Sequence, residues 1–171
     1  MNEENLIVNR VASSTLVTFD LEEFYQPGER VLIDIKDQLH QGLILREKDF
    51  RGFIQNHNWQ DYKDKFVTIH CSADAIVPTW AFMLIAVALE PYASHISFGS
   101  LEELEVDLFK TALAKIDWNG FSNAKVVVKG CSHVNVPLAA YIEATSKLRK
   151  VVASLMFGEP CSTVPLFKRP K

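Results

Sequence analysis

The sequence predicts an α/β fold with a mostly parallel sheet and crossover helices. Two β-branched runs, residues 66–70 and 125–129, each lead into Cys-Ser, then Val-Pro, a helical stretch and a second apolar run ending in Phe-Gly. The interval from the proline, Pro78 or Pro137, to the Phe-Gly pair is the same in both halves, which indicates a duplicated β-α-β unit in the C-terminal half. Strands that alternate with helices imply parallel pairing and right-handed crossovers.

The N-terminal part gives weaker signals. Residues 15–19 and 31–35 read as strands on either side of a turn at 26–28, and the N-terminal part could contain antiparallel strands. Residues 46–56 read as a helix. No linker rich in Pro, Gly or Ser interrupts the chain, so the sequence predicts one α/β domain over 1–171. Its parts are an N-terminal region of strands and a helix, 1–60, and two repeat units, 61–100 and 121–159.

Each repeat helix is predicted to begin at its proline, because proline suits the first helical position, where its missing N–H would have been unpaired. The first helix, 78–90, is apolar all round, whereas the second, 137–150, has a polar face. The first helix is therefore expected to be covered on both sides, by the N-terminal segment or by a second subunit in a homodimer. Between the repeats, Ser100 and Glu103 form a capping box that begins a crossover helix ending near Ile116.

Composition argues against several classes of protein. The 171 residues carry a net charge of -3 at pH 7, and Lys and Arg are scattered rather than gathered into the basic stripe that nucleic acid requires. The longest apolar stretch, 75–89, is shorter than the roughly 20 residues of a membrane span. There is neither a signal peptide nor a Gly-rich phosphate loop, and the cysteine count is odd. We therefore expect a cytoplasmic protein with reduced thiols and without a nucleotide cofactor, a nucleic-acid partner or a membrane.

All three cysteines occur in the same sequence motif, Cys-Ser followed by Val-Pro. Cys71 and Cys131 each come at the carboxyl end of a predicted strand, at turns that look equivalent in the repeat, and Cys161 follows the last strand closely. Ligands of open parallel sheets bind at the carboxyl ends of the strands, so the three thiols are predicted to project from one edge of one sheet. Helix N-termini at that edge would favour the thiolate, which is the metal-binding form.

Three thiolates with a fourth donor make a closed zinc site or hold an iron–sulfur cluster. His133 is the preferred fourth ligand because it lies in the loop beyond its strand, whereas His70, as the last strand residue, should face away from Cys71. Serine hydroxyls beside the cysteines could donate to the sulfurs or, more simply, cap the helices. Besides His70, the candidate supporting residues are Ser72, Asp74, Ser132, Glu159 and Ser162.

Two other hypotheses stay open. A thiol-dependent transferase would use one nucleophilic cysteine, a histidine base and helix N-terminal amides as an anion hole. A dimeric scaffold would hold the cysteines as inert small hydrophobes, which is how buried free cysteine often behaves. The ligand hypothesis predicts similar metal loss on replacing any one cysteine, and the enzyme hypothesis predicts one indispensable cysteine. Without a recognisable catalytic motif, the sequence leans away from an enzyme.

Four motifs of the chain are distinctive: GLILREKDFR at 42–51, CSADAIVP at 71–78, KGCS at 129–132 and GEPCSTVP at 158–165. They resemble motifs of the bacterial domain-of-unknown-function family 2480, found mainly in Bacteroidetes, and the resemblance covers nearly the whole chain. It implies no catalytic residues. Members of that family look like neighbours of the sulfur-mobilisation genes for iron–sulfur cluster assembly. The resemblance therefore implies an accessory or carrier whose partners are iron–sulfur assembly proteins.

Overall fold

The computed structural model describes residues 16–130, 133–159 and 162–170. The chain divides into two compact units. Unit 1 takes the residues up to Gln26 and those from Leu108 onward, and unit 2 takes Pro27–Asp107. In the sequence, unit 2 is thus inserted between the two parts of unit 1. The assignment of residues 1–171 to a single domain stays a prediction.

The described residues form nine β-strands and four α-helices. In chain order the strands are β1 (Val17–Asp20), β2 (Arg30–Asp34), β3 (Leu39–His40), β4 (Ile44–Leu45), β5 (Phe66–His70), β6 (His95–Phe98), β7 (Lys125–Lys129), β8 (Ser154–Glu159) and β9 (Ser162–Lys168). The helices are α1 (Glu47–Asn56), α2 (Thr79–Leu89), α3 (Leu101–Leu113) and α4 (Leu138–Leu148). Short 3-10 helices occupy Leu21–Phe24, Ile35–Gln38, Trp59–Tyr62 and Trp118–Phe121. None of the described helices is long and apolar enough to cross a membrane.

Unit 2 contains a three-stranded parallel sheet in the order β2-β5-β6. Its middle strand, β5, is buried up to its last residue, which explains the nearly continuous apolar run in the sequence. The helix that follows, α2, buries Ala81, Ile85 and Leu89 in the core of the unit, and their i, i+4 spacing places them on one helix face. The antiparallel pair β3-β4 leads into α1, where Phe50 is fully buried.

Unit 1 contains a four-stranded sheet in the order β1-β7-β8-β9. The first three strands are parallel, and β9 is antiparallel to β8. The helix α4 buries Ala140, Ala144 and Leu148 in the core of this unit, at the same spacing as in α2. Within the described residues, unit 2 has no strand that corresponds to β9.

The duplication extends to the N-terminal strands. β1 pairs with β7 as β2 pairs with β5, both in parallel. Asp20 and Asp34 each end their strand, and each carboxylate caps the following 3-10 helix by accepting from the amide two residues later. Both β1 and β2 are outer strands that pair in parallel with their neighbours. The antiparallel strands expected in the N-terminal part are present as β3 and β4.

The predicted α/β fold with largely parallel sheets is confirmed. The capping box is confirmed as well: the Glu103 amide donates to Ser100 Oγ at 3.2 Å, and the Ser100 amide donates to Glu103 Oε2 at 2.7 Å. The position of the repeat prolines was predicted wrongly by one residue. Pro78 and Pro137 have extended ψ values of 136° and 144°, so they are N-caps and the helices begin one residue later.

Candidate functional site

The strands that carry the three cysteines do not belong to one sheet. Cys71 follows β5 of unit 2, whereas Cys131 follows β7 and Cys161 falls between β8 and β9, which are all strands of unit 1. The expectation that three strands present the thiols at one edge of one sheet is therefore wrong, because the duplication produced two sheets rather than two halves of one. Cys131, Ser132 and Cys161 lie outside the described residues, so the ligand set of the three cysteines with His133 stays a prediction.

The cysteines of the two repeats do not occupy equivalent positions. The two units can be aligned by matching the β1–β7 pair of unit 1 with the β2–β5 pair of unit 2. In this alignment, Gly130 of unit 1 corresponds to Cys71 of unit 2. A Cβ atom at Gly130 would lie 2.7 Å from Tyr141 Oη and 3.2 Å from Leu21 Cβ, so a side chain there would require Tyr141 to move. Residue 131 instead corresponds to Ser72. The two thiols are thus not simple copies of one ancestral position.

Cys71 has a mainly structural environment. The residue is half-buried and packs against the core of unit 2. Its Sγ lies 3.8 Å from the carbonyl oxygen of Ala73, a distance suited to a weak S–H donor. These contacts are those of a small hydrophobic side chain. They agree with the hypothesis of an inert cysteine at this position.

Ser72 contacts a carboxylate rather than a helix end. Its hydroxyl donates to Asp34 Oδ2 at 2.5 Å, and its amide donates to Asp34 Oδ1 at 3.1 Å. The N-cap of α2 has no side-chain hydrogen bond, so the capping interpretation is wrong for Ser72. Desolvation alone would raise the pKa of Asp34, but the hydrogen bonds from Ser72 and Lys36 outweigh it and hold that pKa well below its usual range. Of the other candidates in unit 2, His70 is half-buried and Asp74 is exposed.

At the carboxyl edge of the unit 1 sheet, three adjacent strands end in charged residues. Lys129, the last residue of β7, lies between two carboxylates: its Nζ is 3.7 Å from Asp20 Oδ2 on β1 and 3.6 Å from Glu159 Oε1 on β8. Parallel pairing brings these strand ends together, as expected for an open α/β sheet. We call these three residues the edge cluster. Ser162, another candidate, begins β9 next to Glu159 and is exposed.

His133 lies on the same side of unit 1 and is held by Glu22. Its amide donates to Glu22 Oε1 at 2.8 Å, and its Nδ1 is 3.2 Å from Glu22 Oε2. The His133 side chain is 86% exposed, whereas that of Glu22 is 15% exposed. The Glu22 carboxylate contacts Nδ1, so Nε2 is the nitrogen of the His133 ring that takes no part in this contact. Metal-binding histidines commonly have a carboxylate on the nitrogen that does not bind the metal.

Neither Glu22 nor Lys129 belongs to a sequence pattern that predicts a site. The pattern of an apolar residue, Asp and a second apolar residue recurs at Asp20 and Asp34, and this recurrence could have revealed that β1 belongs beside β7. Within the described part of the chain, no group of three or more His, Cys, Asp and Glu side chains is arranged to hold a metal ion. The edge cluster alone is therefore a charge network rather than a metal centre.

Two α/β units built on one repeat, with a charged edge beside the loops that carry Cys131 and Cys161, define this chain as a duplicated α/β protein. The chain belongs to the family described as Protein of unknown function (DUF2480), which matches residues 5–169 and confirms the resemblance seen in the motifs. No curated protein and no solved structure matched the chain. The family description names no activity, so any activity must be argued from the site.

Proposed function

We propose that the carboxyl edge of the unit 1 sheet binds zinc or an iron–sulfur cluster through Cys131, Cys161 and His133. The protein then serves as a cytoplasmic accessory or carrier in iron–sulfur cluster assembly, with the assembly proteins as its partners. Cys71 is left out of this ligand set because it belongs to unit 2 and packs there as a small hydrophobic residue.

The parallel pairing of β7 with β8 carries the proposal. It brings Lys129 Nζ within 3.6 Å of Glu159 Oε1, and the two cysteines of unit 1 each lie just beyond one of these residues along the chain. Two residues of chain extend to at most about 7 Å. The chain beyond Lys129 and Glu159 is therefore short enough to keep both cysteines near this edge, and we propose that they bind a single ion, whose bonds to sulfur are about 2.3 Å long.

The contacts of His133 support its role as a nitrogen ligand. A hydrogen bond between Nδ1 and Glu22 fixes the ring orientation and makes Nε2 the natural donor to a metal. Two thiolates and one imidazole are soft donors that suit zinc or an iron–sulfur cluster rather than Mg²⁺ or Ca²⁺. The donor chemistry of this edge thus fits the proposed group.

Matched cysteine variants provide the test. We would purify the wild type anaerobically, determine zinc, iron and sulfide, and record the absorption spectrum. C131S and C161S are each expected to lose most of the bound metal, whereas C71S, the control in unit 2, retains it. H133A and E22Q are expected to weaken metal affinity roughly 10- to 100-fold. A colourless, metal-free wild type that takes up neither zinc nor a reconstituted cluster would contradict the proposal, as would equal metal retention in C71S and C131S.

A thiol-dependent transferase is the second candidate. The observation that supports it is the cation Lys129 two residues before Cys131, where it also pairs with Asp20 and Glu159. An ammonium group near a cysteine stabilises the thiolate nucleophile that such an enzyme needs. This hypothesis predicts that one of Cys131 and Cys161 reacts with iodoacetamide much faster than the other at pH 7, in protein that contains no metal. Protection of both cysteines from alkylation by bound metal favours the metal site instead.

A further inference from the structure

We propose that the exposed face of α2 is a homodimer interface that packs against the same face of a second copy of this chain. The dimer face is defined by Thr79, Phe82, Met83 and Val87 of α2 together with Phe98 of β6. This inference stands apart from the metal proposal, because it uses residues of unit 2 and requires no ligand.

The outward side of α2 is apolar, unlike that of an ordinary surface helix. Ala81 and Ile85 face the core of unit 2 and are fully buried, while Met83 and Val87 lie on the opposite side and are 62% and 72% exposed. The i, i+4 spacing of Met83 and Val87 makes them one stripe. A helix that is apolar on every side is expected to be covered on every side. Within the described chain, the outer side of α2 is not covered.

Phe98 extends this apolar stripe onto the sheet. Its ring is 68% exposed and contacts the ring of Phe82 at 5.3 Å between centroids, edge to face. The corresponding residue of unit 1, Phe157, is only 37% exposed and pairs with Val164 of β9. Because unit 2 has no described counterpart of β9, β6 ends its sheet and Phe98 stays uncovered. Thus unit 1 covers this position with its own chain, and unit 2 does not.

The chemistry of the dimer face favours a second copy of the chain over an acidic or basic partner. No charged residue occurs from Thr79 to Leu89, so an acidic or basic partner would find no opposite charge there. The stripe is self-complementary: an antiparallel α2 pair with its two-fold axis at Met83 places Val87 of one copy against Thr79 of the other. Each copy would bury on the order of 500 Å², which brings the pair to roughly 1,000 Å², the lower limit for a specific interface. We therefore expect a weak dimer.

The corresponding helix of unit 1 provides a matched control. Leu138 and Ile142 of α4 are 81% and 72% exposed, so this helix also presents two apolar side chains. However, Glu143 and Lys147 follow on α4, and Ser146 takes the place that Val87 has on α2. The polar residues interrupt the stripe. Substitutions at Val87 and Ile142 therefore compare equally exposed positions on the two helices, only one of which belongs to the dimer face.

Sedimentation velocity of the full chain from about 1 to 200 μM tests the proposal. The wild type is expected to approach twice its mass of 19.3 kDa over this range. M83E and V87E are each expected to weaken association at least 10-fold, and I142E is expected to change it less than 2-fold. Circular dichroism checks that each variant is folded, and V87K provides a second charge at the same exposed site.

Several results would overturn the proposal. A wild type that remains monomeric at 200 μM excludes the interface. If both V87E and V87K still form dimers, the dimer contact does not lie on α2. If I142E breaks the dimer, the contact lies on α4. A wild type that is monomeric but sediments with phosphatidylcholine vesicles identifies the apolar face as a lipid-binding surface instead.

Discussion

Asp34 accepts two hydrogen bonds from Ser72, one from the hydroxyl at 2.5 Å and one from the amide at 3.1 Å. The same carboxylate accepts from the amide of Lys36 at 3.0 Å and caps the 3-10 helix that follows β2. A single side chain thus joins the end of β2 to the loop after β5. All of these bonds need oxygen acceptors, so the ionised carboxylate is the form that the fold stabilises.

We expect D34N to destabilise the protein by about 1–3 kcal/mol, because an amide nitrogen cannot accept from Ser72 and the donors of Ser72 lose a partner. Urea denaturation followed by circular dichroism gives the free energy of unfolding. S72A, which removes the hydroxyl but keeps the amide, should cost less than D34N. Equal stability of D34N and wild type would show that the carboxylate contributes nothing at this position.

The depressed pKa of Asp34 also predicts a pH dependence. A carboxyl whose pKa is lower in the folded state than in the unfolded state stabilises the fold above its unfolded pKa of about 3.9. That stabilisation is lost as the pH falls further toward the folded pKa. The difference in free energy of unfolding between wild type and D34N should therefore be constant from pH 7 to pH 5 and shrink below about pH 4. A difference that grows on acidification would contradict this assignment.

Gly99 directly follows β6, and Gly158, at the corresponding position of unit 1, lies within β8. Both have a positive φ, +123° and +119°. At Gly158 an added Cβ would lie 2.6 Å from the backbone oxygen of Ser162, whereas at Gly99 it would meet the side chain of Glu103, which can move. G158A should therefore cost about 2–4 kcal/mol and G99A about 1–3 kcal/mol. Parallel urea titrations compare the two variants. A larger loss for G99A would mean that the Glu103 cap matters more than the backbone contact.

Thr68 is the one fully buried polar residue in the described core, and its hydroxyl donates to the carbonyl of Gly99 at 2.8 Å. T68V keeps the shape but leaves that carbonyl without this donor, and we expect a loss of about 1–3 kcal/mol. T68S keeps the donor and removes one methyl group, which should cost about 1 kcal/mol. The corresponding residue of unit 1 is Val127. If T68V is as stable as wild type, the hydroxyl is not needed.

Arg30 and Glu105 form a bidentate ion pair with N–O distances of 2.6 to 3.2 Å, and their side chains are only 15% and 19% exposed. We expect a coupling energy of about 1–2 kcal/mol in a double-mutant cycle of R30Q and E105Q. R30Q should cost more than E105Q because the guanidinium also lies 5.0 Å from the centroid of the Phe66 ring. R30K should not restore stability, since lysine lacks the planar fork. A coupling energy below about 0.3 kcal/mol would contradict the prediction.

Local patterns predicted much of the fold. The middle strands and the capping box at Ser100 follow from neighbouring residues, so the sequence alone identifies them. The number of sheets does not follow from neighbouring residues, because β5 and β7 each pair with a short strand that is far away in the chain. β1, for example, pairs with β7 across more than 100 residues.

The candidate site was harder to predict for the same reason. Glu22 and His133 are 111 residues apart, and their contact depends on β1 lying beside β7. A side chain at Gly130 would collide with Tyr141 and lie tightly against Leu21, and no local motif indicates these contacts. The sequence could therefore identify His133 as a candidate but could not supply the carboxylate that holds it.

The insertion of unit 2 into unit 1 has a consequence for synthesis on the ribosome. β1 is translated before unit 2, but its partner β7 follows only after all of Pro27–Asp107. At roughly 5–20 residues per second, β1 waits on the order of 5 to 20 s for its neighbour, while unit 2 can already fold. The nascent chain must therefore carry β1 through the whole synthesis of unit 2 before the strand that pairs with it exists.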